Sequence, residues 1–267
     1  LSDLYLDLME RCLLGLIYKD PPLDPWHGII RDAEGRVVKL GEGIGALTID
    51  AGTFDAQTRH NGADWPATAH TMIGAKRLRN WRDVIESTIE LGIPGDFVEA
   101  GVWRGGACIL AAAILKSRCI QDRVVWACDS FEGLPPPDSR FPSDAKDWHH
   151  KIGPLAVSLE QVQENFRTYD LLSPEVKFLK GWFKDTLQNA PIERIAVLRV
   201  DGDMYESTLD VLNALYSKVS SGGVVIIDDY NSVRGCQTAT NDFRERLGIT
   251  DPIIRIDPYG VYWEKTT

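Results

Sequence analysis

The chain has 267 residues, no cysteine framework and a formal charge of −10, which suits one α/β domain with an appendage or two small domains. That charge speaks against a nucleic-acid binder, which needs a basic patch to meet phosphate; the longest basic cluster, KRLR at 76–79, reads as the solvated face of a helix. No apolar run approaches the roughly 20 residues of a membrane span, and the cysteines at 12, 108, 119, 128 and 236 form no zinc spacing, as in a cytoplasmic protein with reduced thiols.

The first 17 residues are apolar but carry Asp3, Asp7, Glu10 and Arg11, which predicts an amphipathic helix over 2–17 rather than a signal peptide. Its apolar face can cover either a neighbouring subunit or its own cap. A second helix is predicted over 72–91, stopped by Gly92 with Pro94 just beyond. Residues 1–90 lack enough strands for a second α/β domain, so they read as a helical cap over the open end of a sheet formed by 91–267.

From 96 the pattern turns regular. DFVEA (96–100), RVVWACD (123–129), VKFLKG (176–181), RIAVLRVD (194–201) and GGVVIIDD (222–229) read as strands. Between and after them lie helical patterns over 106–117, 158–169, 207–219 and 234–247. Continuous apolar strands alternating with helices mean a parallel sheet covered on both faces. The end, PIIRID-PYG-VYWEK, reads as a hairpin that places an antiparallel strand in that sheet. This is the α/β architecture of class I methyltransferases rather than the six parallel strands of an NAD-binding Rossmann domain. The loop over 132–154 is long and without pattern, which marks it as a functional lid or as disordered.

Ligands of open α/β sheets bind beyond the carboxyl ends of the strands, and four of the five predicted strands finish in acids: Glu99, Asp129, Asp201, and the pair Asp228 and Asp229. VEAGVWRGGA (98–107) supplies strand, Gly turn and helix start. Gly101 permits close backbone approach, and the free N–H groups of the helix attract a carboxylate. G-x-G-x-x-G is absent and Glu99 repels phosphate, so an amino-acid-like ligand with an ammonium group, such as S-adenosylmethionine, fits better than a dinucleotide. A purely structural turn is the alternative. Asp129 can accept the hydroxyls of an adenosine ribose, or cap a helix. Trp182 and Phe183 can flank an adenine, or pack in the core. Asp201 lies 27 and 28 residues before Asp228 and Asp229, about the length of one strand–helix–strand unit. Adjacent strand ends then bring three carboxylates together, with only Arg199 nearby in sequence to offset them. Carboxylates that close repel unless one binds a proton or a cation intervenes. All-oxygen ligands select Mg2+, Ca2+ or Mn2+ over zinc, and three carboxylates that leave room for substrate oxygens suit Mg2+ best. The alternatives are a helix cap at Asp229 and a proton-sharing pair.

HTMIGAKRL (70–78), VEAGVWRGGAC (98–108), CDSFEGLP (128–135), GWFKDT (181–186) and RVDGDMYEST…GGVVIIDDY together resemble the macrocin O-methyltransferase (TylF-like) family over nearly the whole chain. The resemblance implies an enzyme that methylates a sugar hydroxyl of a glycosylated natural product such as a macrolide or aminocoumarin. It implies S-adenosylmethionine and Mg2+, and a homodimer. By motif it implies metal ligation by Asp201, Asp228 and Asp229 and cofactor contacts from Thr71, Met72, Glu99, Gly101, Asp129, Ser130, Trp182 and Phe183. Metal-dependent catechol methyltransferases place a lysine base three residues after the first metal Asp; Met204 stands there, which weakens a phenolic acceptor. Segment 18–60 matches the family poorly and is where the acceptor is expected to dock. The acceptor's proton needs a base, and Asp201 is the first choice. His149 or His150 in the lid is second, with plain surface or packing residues as the alternative. A nicotinamide oxidoreductase shares the sheet and Asp129 but has no use for clustered carboxylates, and a Ca2+-stabilised binding protein uses the acids but not the Gly turn.

Overall fold

The computed structural model describes residues 2–23, 29–31, 37–39 and 53–266. In chain order the helices are α1 (Ser2–Leu13), α2 (Ala56–His60), α3 (Gly74–Glu90), α4 (Gly106–Ser117), α5 (Leu159–Thr168), α6 (Phe183–Thr186), α7 (Tyr205–Leu215) and α8 (Arg234–Leu247). Two small antiparallel pairs precede the main sheet: β1 (Pro22–Leu23) with β4 (Trp65–Pro66), and β2 (Ile29–Arg31) with β3 (Val37–Lys39). The main sheet holds β5 (Asp96–Ala100), β6 (Val125–Asp129), β7 (Val176–Lys180), β8 (Ile195–Val200), β9 (Val219–Ile227), β10 (Ile254–Arg255) and β11 (Val261–Glu264). Their spatial order is β10-β11-β9-β8-β5-β6-β7. β5 to β9 run parallel, and β11 enters antiparallel beside β9. This is the class I methyltransferase sheet.

The strands are apolar on both sides because both faces are covered. Phe97, Ala127, Val197 and Ile226 face one core with α1, α3 and α4, whereas Val98, Cys128, Leu198 and Ile227 face the other with α7 and α8. Order reverses between β5 and β8, so the crevice for a ligand opens there, past the ends of both strands.

The first 90 residues are built into the main core. Leu6, Met9 and Leu13 of α1, and Leu78, Trp81 and Ile85 of α3, are buried in the same core as β5 and α4. The apolar face of α1 therefore covers its own chain. α1 also ends at Leu13, short of the predicted 17, because the chain turns back so that the Asp20 carboxylate receives the N–H groups of Thr68 and Ala69. The basic cluster at 76–79 is a correction: Lys76 and Arg79 are exposed, but Arg77 is buried. The 132–154 loop is not patternless either. It folds as three single turns of 3-10 helix, Pro142–Asp144, His149–Lys151 and Gly153–Leu155. The acceptor-docking expectation for 18–60 falls largely on 24–28, 32–36 and 40–52, outside the described residues. All five cysteines are free.

Candidate active site

One cavity of about 440 Å3 opens at the carboxyl ends of the parallel strands. All the residues singled out from sequence except His150 line it: Thr71, Met72, Glu99, Gly101, Asp129 and Ser130, with Trp182, Phe183, His149, Asp201, Asp228 and Asp229. Its volume lies in the range of small-molecule and cofactor sites.

Two glycines set its floor. Gly101 follows β5 with φ of 95°, and a Cβ there would lie 1.7 Å from the Asp201 carbonyl oxygen. The close approach is thus to the end of β8, which keeps the strand ends on either side of the crevice in register. Gly106 opens α4, and its N–H donates to the His70 carbonyl at 2.9 Å. A Cβ there would meet that oxygen at 2.4 Å, so the Thr71–Met72 turn sits directly on the helix start.

Asp129 is not a helix cap. Its Oδ2 accepts from the Val102 N–H at 2.6 Å and its Oδ1 from the Phe131 N–H at 2.7 Å, which ties the end of β6 to the Gly turn. Trp182 starts α6 half-buried on the cavity wall, and Phe183 both lines the cavity and packs against the core below.

The acidic end is more compensated than the sequence indicates. Arg199 is 1% exposed and donates to Glu99 Oε1 at 2.6 Å, Asp201 Oδ2 at 2.8 Å and Asp228 Oδ1 at 2.6 Å. Arg77 reaches from α3 to the other oxygen of Asp228 and to Asp257 Oδ2 at 3.1 Å. Glu99 is further engaged by the Cys108 N–H at 3.1 Å and its thiol at 2.9 Å. It therefore offers the cavity charge rather than free oxygens. Its carboxyl is pushed up to about 7, chiefly by burial, with Arg199 opposing.

Two guanidiniums still face six carboxylates: Glu99, Asp201, Asp203, Asp228, Asp229 and Asp257. Asp229 is held well above the usual carboxylate range by burial and then by Asp203, Asp201 and Asp228. Its Oδ2 is buried without a hydrogen-bond partner, while its Oδ1 accepts from Ser232 at 3.0 Å. Ligand oxygens of Asp201, Asp228 and Asp229 all lie within 4.8 Å of one another, the one such group among the described residues. An orphaned oxygen, surplus negative charge and an oxygen-only donor set fit a hard divalent cation, which would bring these raised carboxyl pKa values back down.

His149 lines the cavity and His150 does not. Sequence reading missed Arg77 and Asp203, which also line the cavity. Arg77 was hidden in a basic run that looks solvated. Asp203 sits two residues after Asp201 at a φ of 55°, a kink that no spacing rule reveals.

The chain matches the family model described as macrocin-O-methyltransferase (TylF) over residues 2–265. It is 48% identical to demethyldecarbamoylnovobiocin O-methyltransferase of Streptomyces niveus, with 99% of this chain and 94% of that one covered. It is 44% identical to mycinamicin III 3''-O-methyltransferase of Micromonospora griseorubida, covering 99% and 97%. The solved structure of the O-methyltransferase NovP superposes with a TM-score of 0.88 at 46% identity, with both chains fully covered. The calicheamicin methyltransferase CalS11, at 20% identity and a TM-score of 0.57 over 71% of this chain and 79% of that one, shares the fold. Sheet and strand-end crevice define a class I methyltransferase. The chain belongs to the macrocin-O-methyltransferase (TylF) family and is an S-adenosylmethionine-dependent O-methyltransferase, which closes the nicotinamide alternative. No helix among the described residues is long and apolar enough to cross a membrane.

Proposed function

We propose that the protein transfers the methyl group of S-adenosylmethionine to a sugar hydroxyl of a glycosylated natural product, with Mg2+ held by Asp201, Asp228 and Asp229. The observation that carries this is the meeting of two ends in one cavity: a Gly turn with Asp129 and Trp182, and three carboxylates within 4.8 Å. The acceptor class is supported by relatives whose names specify antibiotics, one of them a rhamnosyl-tetracenomycin 4'-O-methyltransferase from Streptomyces olivaceus, 46% identical over 99% of this chain and 93% of that one.

A sugar hydroxyl is a poor nucleophile near neutral pH. A bound divalent cation supplies acidity and orientation for neighbouring hydroxyls. The chain's own residues do the rest. Thr71, Met72, Glu99 and Gly101 face the amino-acid end of the methyl donor. Asp129 and Ser130 face its ribose, and Trp182 and Phe183 its adenine. Asp201 and His149 are the groups placed to take the acceptor's proton. Working as a homodimer in the cytoplasm is part of this reading. Leu4 and Leu8, one turn apart and outward-facing on α1 at 71% and 50% exposure, support the dimer.

The test is calorimetric titration of S-adenosylhomocysteine with and without Mg2+. It is followed by incubation with S-adenosylmethionine, Mg2+ and demethyldecarbamoylnovobiocin, read by mass spectrometry. Saturable binding and a Mg2+-dependent gain of one methyl are the expected results. Folded protein that binds no S-adenosylhomocysteine overturns the cofactor assignment. Turnover that survives both EDTA and Asp201→Asn overturns the metal.

A further inference from the structure

We infer that Tyr259, in the turn between β10 and β11, is the surface on which the acceptor's sugar ring lies, and that it thereby sets which acceptors are taken. The inference rests on the O-methyltransferase reading and locates the acceptor within that cavity.

The sheet brings this turn to the acids. β11 runs antiparallel to β9, with Val261 paired to Ile227. The turn that precedes β11 therefore lies at the carboxyl end of β9, where Asp228 and Asp229 follow. The approach is close: a Cβ on Gly260 would lie 3.3 Å from the Asp228 carbonyl oxygen, and the Asn231 N–H donates to the Tyr259 carbonyl at 2.9 Å. The Gly turn, Asp129 and Trp182 stand at the ends of β5, β6 and β7, on the other side of β8. With the methyl donor over that half of the sheet, the acceptor is left the half that ends in β9 and β11.

The turn is held rigidly. Asp257 is 6% exposed, and its Oδ1 accepts from the N–H groups of Tyr259 at 2.8 Å and Gly260 at 2.7 Å. Its Oδ2 accepts from Arg77 Nε at 3.1 Å. The same guanidinium reaches Asp228 and lies over the Tyr259 ring, 5.2 Å from the ring centre. Arg77 thus ties the ring to one of the three clustered acids. A side chain fixed before the substrate arrives costs little ordering when it binds.

Tyr259 is half-buried and lines the cavity. Most other aromatic groups of the wall have separate work. Trp103 donates to the Pro154 carbonyl and carries the Arg104 guanidinium on its face, and Trp182 and Phe183 stand at the end assigned to adenine. Trp65 belongs to β4, outside the main sheet. A pyranose carries hydroxyls around its edge and C–H bonds on its faces. The acids at this end can accept from the hydroxyls but offer no apolar surface. An aromatic ring supplies one, with its negative face toward the C–H hydrogens.

The test uses demethyldecarbamoylnovobiocin and mycinamicin III as acceptors. Tyr259→Ala should raise the acceptor KM about tenfold or more, with kcat within about threefold and S-adenosylhomocysteine affinity within about twofold. Its melting temperature should stay near that of the wild type. Tyr259→Phe and Tyr259→Trp should recover most of the loss, because both restore an aromatic face. A readout without turnover is the NMR spectrum of the acceptor added to enzyme saturated with S-adenosylhomocysteine. The sugar C–H protons should move upfield with wild type and not with Tyr259→Ala. An unchanged KM in Tyr259→Ala, a rise that neither Phe nor Trp repairs, or the same proton shifts in Tyr259→Ala and wild type overturns the inference while the methyltransferase stands. So does a parallel fall in melting temperature and S-adenosylhomocysteine affinity, which marks a structural role. Wild type that binds S-adenosylhomocysteine but methylates neither glycoside overturns the sugar-acceptor reading and the inference with it.

Discussion

A single guanidinium, that of Arg199, joins acids from the ends of three neighbouring strands, Glu99, Asp201 and Asp228. Removing it by Arg199→Met would leave Glu99 without its guanidinium and Asp228 with Arg77 alone, both acids at most 3% exposed. Breaking such a set costs about 3–5 kcal/mol, so the variant should melt well below wild type in thermal denaturation even before activity is assayed. His70 gives a second residue-scale prediction. Burial, then the Arg104 charge, lowers its imidazole from 6.5 to about 4, and its Nδ1 pairs with the Tyr169 hydroxyl at 2.8 Å. Between those pH values the folded state binds fewer protons than the unfolded one. The His70 contribution is therefore present above pH 6.5 and is lost as pH falls toward 4. It is worth at most about 3 kcal/mol. His70→Asn should flatten that part of a stability–pH curve from urea denaturation; an unchanged slope would refute the assignment. At this scale the strand-end acids were legible, because each closes an apolar run. Arg77 was not: only the fold shows that one face of α3 points its guanidinium at Asp228.

The elements depend on contacts between distant segments. Gly101→Ala would drive a Cβ into the Asp201 carbonyl at a positive φ, a strain of about 3 kcal/mol or more. The ends of β5 and β8 would have to part. The variant should lose stability and S-adenosylhomocysteine affinity together, checked by melting and calorimetry; tight binding with wild-type stability would show that the approach is not needed. Element boundaries were legible wherever the signal is local, as at α5, capped by Ser158 through the Gln161 N–H. α7 starts at Tyr205, before the predicted 207, because its cap comes from Asp144 in a different loop, which a local window cannot contain.

On the scale of the molecule, the N-terminal helix is structural. Leu6, Met9 and Leu13 are at most 6% exposed, and burying each such side chain contributes about 1.5–3 kcal/mol. That is comparable to the whole net stability of a domain. Deleting residues 2–13 should therefore abolish a cooperative unfolding transition in scanning calorimetry; a sharp transition near the wild-type temperature would refute it. The sheet was legible as a whole because five doubly covered strands announce themselves by unbroken apolar runs. The packing of 1–90 was less so, since hydrophobic periodicity says which face of α1 is apolar but not what it meets. The guanidinium that joins Glu99, Asp201 and Asp228 has a last consequence, one of inheritance. Loss of a single acid still leaves Arg199 two others, whereas loss of Arg199 deprives three acids of a partner at once, so drift can touch the acids one at a time but not the guanidinium. A designer moving the three acids onto another parallel sheet has to carry Arg199 along with them.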